Sequence, residues 1–165
     1  MPKVQFTKAP SLDYPPPRGN VLLLSCMDPR LLDDTVEFMN HDNLSNRYDH
    51  VILAGAALGA LGGCSKKYKH WRKVFFDHLE AARALHNVED VYILEHRHCG
   101  AYHKVFKVAS EFGDCESEQE KEAALHRKYA KLLEGEIAAW AEQQGITLRV
   151  TSFLMGVRGD VVVLR

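Results

Sequence analysis

Apolar residues fall in short blocks along the chain, and the spacing within each block predicts an element. Val21-Leu22-Leu23-Leu24-Ser25 is a continuous apolar run bounded by turn formers, the pattern of a strand buried on both faces. From about Leu31 to Asn40, Leu32, Thr35, Val36 and Met39 recur at helical spacing. Asp49–Ala54 reads as a second strand and runs into a small-residue stretch with Gly55, Gly59, Gly62 and Gly63. A helix follows from about Tyr68 to His86, with Trp71, Val74, Phe75, His78, Leu79, Ala82 and Leu85 in one stripe and Asn87 as its stop. Val91–Glu95 is a third strand, leading straight into His96-Arg97-His98-Cys99-Gly100. The next helix is predicted to turn Val105, Phe106 and Ala109 inward.

Ser117 with Glu120 has the form of a capping box. It predicts a long helix to about Gln144, with Leu125, Tyr129, Leu132 and Trp140 on the apolar side and Gly145 as the cap. Thr147–Met155 and Val161–Leu164 flank Val157-Arg158-Gly159-Asp160, which reads as a hairpin turn. Residues 1–19, with Pro10 and Pro15-Pro16-Pro17, are expected to form an extended arm. Residues 20–165 are expected to form one domain. Strands alternating with helices predict an α/β fold. Its central sheet is mostly parallel, with about four strands, an antiparallel C-terminal edge strand and helices on both faces.

Composition narrows the function. The chain has 165 residues, 46% hydrophobic and 26% charged, as in ordinary globular domains. A formal net charge of −1 argues against nucleic-acid binding through bulk charge. No run approaches the roughly 18 apolar residues of a membrane span. The N-terminus has no apolar segment of the signal-peptide kind. A soluble, cytoplasmic chain without nucleic-acid or membrane partners is expected. Its four cysteines then read as metal ligands, reactive thiols or small buried residues rather than disulfides.

The polar residues at predicted strand ends carry the chemistry. Cys26 lies just past the first strand, and His96 and Cys99 just past the third. If those strands are neighbours, the three converge where open parallel sheets bind ligands. Two thiolates and an imidazole suit zinc, and three protein ligands leave a fourth position open, as in catalytic sites. Asp28 and Arg30 share the Cys26 loop. The carboxylate could accept a hydrogen bond from a metal-bound water or bind the metal itself, and Arg30 could pair with it and hold it off.

A thiol-phosphatase loop of the form Cys-x5-Arg is excluded, because Leu32 stands where the arginine belongs. Cys64 and Cys115 have no comparable company and read as structural. His98 competes with His96 as ligand, and His103 is a candidate proton shuttle. The basic cluster of Lys66, Lys67, Lys69, Arg72 and Lys73 reads as a solvated loop and helix start, and Arg158-Gly159-Asp160 as a tight turn.

Cys26-x-Asp28-x-Arg30 and His96-x-x-Cys99-Gly100, about 70 residues apart, together resemble the β-class carbonic anhydrases. The likeness runs from about Val21 to Tyr102 in spaced motifs. It implies that Cys26, His96 and Cys99 bind one Zn2+ per chain and that Asp28 and Arg30 are the catalytic dyad orienting the metal-bound water. The implied reaction is reversible hydration of carbon dioxide to bicarbonate by zinc-bound hydroxide, in a homodimer or higher homo-oligomer. The chain departs from the family at Leu53-Ala54-Gly55-Ala56, where members usually carry an Arg-Asn-Ala-Gly type segment. That change motivates two alternatives: hydrolysis of a carbon dioxide analogue such as carbonyl sulfide or carbon disulfide, and a non-catalytic zinc-binding homologue.

Overall fold

The computed structural model describes residues 13–63 and 65–165. The first twelve residues of the expected arm, and Cys64, lie outside the described residues. Five strands form one sheet: β1 (Val21–Ser25), β2 (Tyr48–Ile52), β3 (Asp90–His96), β4 (Arg149–Met155) and β5 (Val161–Val163). Their order is β2-β1-β3-β4-β5. The first four are parallel, and β5 pairs antiparallel with β4 at the edge. The expected sheet is therefore observed.

The continuous apolar run of β1 follows from burial on both sides. Leu22 and Leu24 face one core, with Val91 and Ile93 of β3 beside them. Val21 and Leu23 face the other, with Tyr92 and Leu94. The first core is closed by α2 (Ala56–Ala60), α3 (His70–His86) and α4 (Glu116–Gln143), which bring in Phe75, Leu79, Leu133 and Ile137. The second is closed by α1 (Leu32–His41) through Phe38 and Met39. The described part of the arm lies on this second core. Tyr14 stacks edge-on against Phe153, with ring centroids 4.8 Å apart, and donates to Asp42 at 2.6 Å.

Several boundaries differ from the sequence reading, each for a local reason. The small-residue stretch contains a short buried helix, α2, entered through Gly55 and Ala56 at positive φ. A Cβ at Gly59 would collide with the Ala54 carbonyl, and one at Gly63 with the Phe106 ring. After Gly100 there is a single π-type turn, Ala101–Val105, in place of a helix. It buries Tyr102 and Phe106, Lys107 then takes φ +59, and Ala109 is exposed. The long helix begins at Glu116 with Cys115 in the cap position and no side-chain cap, so Ser117 lies inside the first turn. Glu116 and Glu118 there complement the helix dipole.

Inward stripes were also displaced. In α1, Thr35, Phe38 and Met39 are buried, whereas Leu32 and Val36 face outward. In α3, Phe75, Phe76, Leu79 and Ala82 are buried, and Leu85 is exposed. In α4 the inner face runs through Glu122, His126, Tyr129, Leu133 and Ile137, leaving Leu132 exposed. Glu122 and His126 occupy that face because they bind the end of β3, as described next. Asn87 and Gly145 end their helices in left-handed conformation, as expected.

Candidate metal centre

The chain leaves β1 toward β2 on one side and returns to β3 on the other. The crevice between the carboxyl ends of β1 and β3 is therefore the point where strand order reverses, the usual ligand site of such sheets. Ser25 is in register with Leu94, so Cys26 emerges beside Glu95 and His96. Cys26, His96 and Cys99 converge there, with one candidate ligand atom each and all three atoms within 4.8 Å.

Their geometry suits a tetrahedral ion. Cys26 Sγ and Cys99 Sγ are 3.8 Å apart. Two thiolates about 2.3 Å from one zinc at the tetrahedral angle stand about 3.8 Å from each other. His96 Nδ1 donates to the Arg97 carbonyl at 2.9 Å, which in the neutral ring leaves Nε2 with its lone pair. That Nε2 is buried and has no hydrogen-bond partner among the described residues, an arrangement a metal would satisfy. Cys26 also accepts the Gly55 N–H at 3.3 Å. The hydrogen bond from Cys99 is the main reason the Cys26 thiol titrates well below its ordinary range, opposed by burial and reinforced by His96 and Gly55. Cys99 is pushed upward by Cys26 and by burial. The contact thus favours the thiolate on Cys26 and the thiol on Cys99.

Asp28 begins the tight turn Pro29–Leu31, and its carboxylate caps that turn through the Arg30 N–H. Arg30 grips it at both oxygens, Nε to Oδ1 at 3.0 Å and Nη2 to Oδ2 at 2.7 Å. This pairing holds the carboxyl below its usual range. Asp28 Oδ2 stays 3.9 Å from His96 Nε2, beside the ligands without joining them. Above the site is a cleft of about 300 Å³. Met27, Pro29, Leu31 and Ile52 give it apolar walls, and Ser25, Asp28 and His50 its polar groups. His50 Nε2 lies 2.7 Å from Ser25 Oγ, and burial lowers its pKa.

Among the other sequence candidates, His98 turns away to Asp114 at 3.0 Å. His103 is exposed beside Glu111 and does not line the cleft. Cys115 is exposed at the start of α4. The segment Leu53–Ala56 offers backbone: the Gly55 N–H to Cys26, and just beyond it the Ala57 N–H to Glu95 at 2.7 Å.

The sequence reading missed the support under the site. Glu95 is 1% exposed and accepts from Ala57, from the Tyr102 hydroxyl at 2.9 Å and from His126 Nδ1 at 2.6 Å. Glu122 accepts from the His98 and Arg97 N–H groups. The detectable signal was the four-residue spacing of Glu122 and His126, in phase with Leu133 and Ile137.

No protein-family model matches this chain. It is 35% identical over 144 residues to an uncharacterized protein of Rickettsia bellii (strain RML369-C), covering 87% of this chain and 80% of that one. Among solved structures, it is similar to the β-carbonic anhydrase CafA of Aspergillus fumigatus. That match has a TM-score of 0.55 and 14% identity, over 89% of this chain and 76% of the other. It is also similar to one of two tetrameric β-carbonic anhydrases of Sordaria macrospora. Here the TM-score is 0.57 and the identity 12%, over 88% and 80% of the two chains. The chain thus belongs to one family with the Rickettsia bellii protein, and it has the fold of the β-carbonic anhydrases.

Proposed function

We propose that the protein is a zinc enzyme that reversibly hydrates carbon dioxide to bicarbonate. The observation that carries this reading is the buried His96 Nε2, unpartnered among the described residues, facing two cysteine sulfurs at zinc spacing beneath an apolar cleft. Cys26, His96 and Cys99 would hold the ion. Zinc, when bound, supplies a Lewis acid that brings the ionisation of water close to neutral pH.

The chain's own groups do the rest. Arg30 keeps Asp28 charged and fixed, so the carboxylate can accept a hydrogen bond and orient a water in the cleft. Met27, Pro29, Leu31 and Ile52 receive a small apolar substrate and limit competing water. His50, whose pKa burial lowers, lines the cleft with its Nε2 2.7 Å from Ser25 Oγ. The same apolar walls favour, as a second reading, hydrolysis of carbonyl sulfide or carbon disulfide.

In stopped flow, protein loaded with one zinc per chain is expected to hydrate carbon dioxide far above the uncatalysed rate. Asp28→Asn is expected to retain the zinc and lower kcat/KM by roughly 10²–10⁴-fold, the usual contribution of a positioned acid–base group. Full activity in Asp28→Asn contradicts the assigned role. Sulfide release from either sulfur gas faster than carbon dioxide hydration selects the second reading.

Met27 (66% exposed), Leu32 (57%) and Ile52 (46%) leave apolar surface around the cleft mouth. We read this rim as covered by a second copy of the chain. Sedimentation at micromolar concentration is expected to give a dimer or larger assembly, and a monomer mass contradicts this.

The lowered Cys26 pKa has a direct readout in metal-free protein. Thiolate absorbance near 240 nm is expected at pH 7 and is expected to drop in Cys26→Ser. Because the folded pKa lies below the unfolded one, the stabilisation from this charge is complete above the unfolded value. It is lost as pH falls through the folded value. A thiol that ionises only above pH 8 contradicts the assignment.

A further inference from the structure

The ligand-bearing loop after β3 depends on a left-handed residue. His98, between His96 and Cys99, has φ +54, a conformation unfavourable for a residue with a Cβ. Its peptide groups are gripped from two directions. The His98 N–H donates to Glu122 Oε1 at 2.5 Å, and the His98 carbonyl accepts from Arg30 Nη2 at 3.2 Å. Glu122 Oε2 accepts from Arg97 Nε at 2.9 Å. Arg97 in turn reaches Gly113 and Asp114.

Glu122 is 1% exposed on the inner face of α4. An apolar residue there would pack without the desolvation cost of a buried carboxylate. Both of its oxygens are committed to the two residues that separate His96 from Cys99. On the far side of His98, the accepting carbonyl receives the same guanidinium that holds Asp28. One buried carboxylate therefore bears on both candidate ligands of this loop and on the Asp28–Arg30 pair.

We infer that Glu122 is a positioning residue for the metal centre: it holds His98 left-handed and so sets His96 and Cys99 around one ion, with Arg30 against Asp28. This rests on the zinc reading above. The role is distinct from that of a ligand, since the Glu122 oxygens are occupied by His98 and Arg97.

The test is zinc affinity, measured by competition with a chromophoric chelator on full-length parent and Glu122→Gln, which keeps the size and loses the charge. Parent protein is expected to bind one zinc per chain. Glu122→Gln is expected to bind it about 10–100-fold more weakly, the usual effect of losing an outer-shell partner. The cobalt-substituted variant is expected to show shifted thiolate charge-transfer bands.

His98→Gly placed in the Glu122→Gln background is expected to recover part of the affinity, because glycine takes positive φ without penalty. If Glu122→Gln fails to fold with Arg97 deprived of its buried carboxylate, the measurement is made on Glu122→Gln with Arg97→Gln, which removes both charges. Parent-like affinity and cobalt spectra in the carboxamide variants, or no recovery with His98→Gly, overturn the inference. A parent that binds no zinc overturns the reading of the site itself, and this role with it.

Discussion

The parallel pairing of β1 with β3 is the constraint on which the rest depends. Because Ser25 lies opposite Leu94, the loop carrying Cys26 and the strand end carrying His96 leave the sheet side by side. Residues far apart in sequence are then neighbours without any long excursion of chain. The pairing also places both loops at the reversal of strand order, where no crossover helix covers the strand ends. The apolar run of β1, buried against α1 on one side and α2–α4 on the other, makes this position rigid. Small apolar residues in α2 let its backbone come close enough for Gly55 and Ala57 to donate to Cys26 and Glu95.

The floor of the site is more polar than a stability-driven core would be. Glu95, His126, Tyr102, Glu122 and Arg97 are buried or nearly so, in the wedge between β3 and α4. Each of the carboxylates has every oxygen engaged, which offsets much of the desolvation cost. Hydrophobic side chains of similar size would pack there at lower cost. Local rules of helix patterning are broken where a site has to be held, and here the broken positions lie directly beneath the converged cysteines and histidine.

Much of this was legible from the residues. The uniform apolar block of β1 reported a two-sided strand, and the short apolar runs ending in Cys26 and in His96 marked the two strand ends. Asn87 and Gly145 announced their helix stops through the left-handed conformation they accept. What escaped was decided by tertiary partners. Leu32 and Val36 have helical spacing yet face outward, because Phe38 and Met39 fill the core. The segment after Gly100 has helical composition but is pinned by Phe106 against Gly55 and Gly63, so it makes one turn only. Glu122 and His126 look like a solvated face until β3 supplies their partners. The sequence likeness to the carbonic anhydrases rests on five side chains in two short motifs, and the segment Leu53–Ala56 meets Cys26 through the Gly55 backbone N–H.

The proposed metal centre is a three-ligand zinc site with one position left open. Zinc K-edge X-ray absorption on protein containing one zinc per chain reads the coordination shell directly. The proposed site gives two sulfurs at about 2.3 Å and two lighter atoms at about 2.0–2.1 Å, one from His96 and one exchangeable. Loss of one sulfur is expected in Cys26→Ser. A shell of four sulfurs, or one with no change in Cys26→Ser, contradicts it.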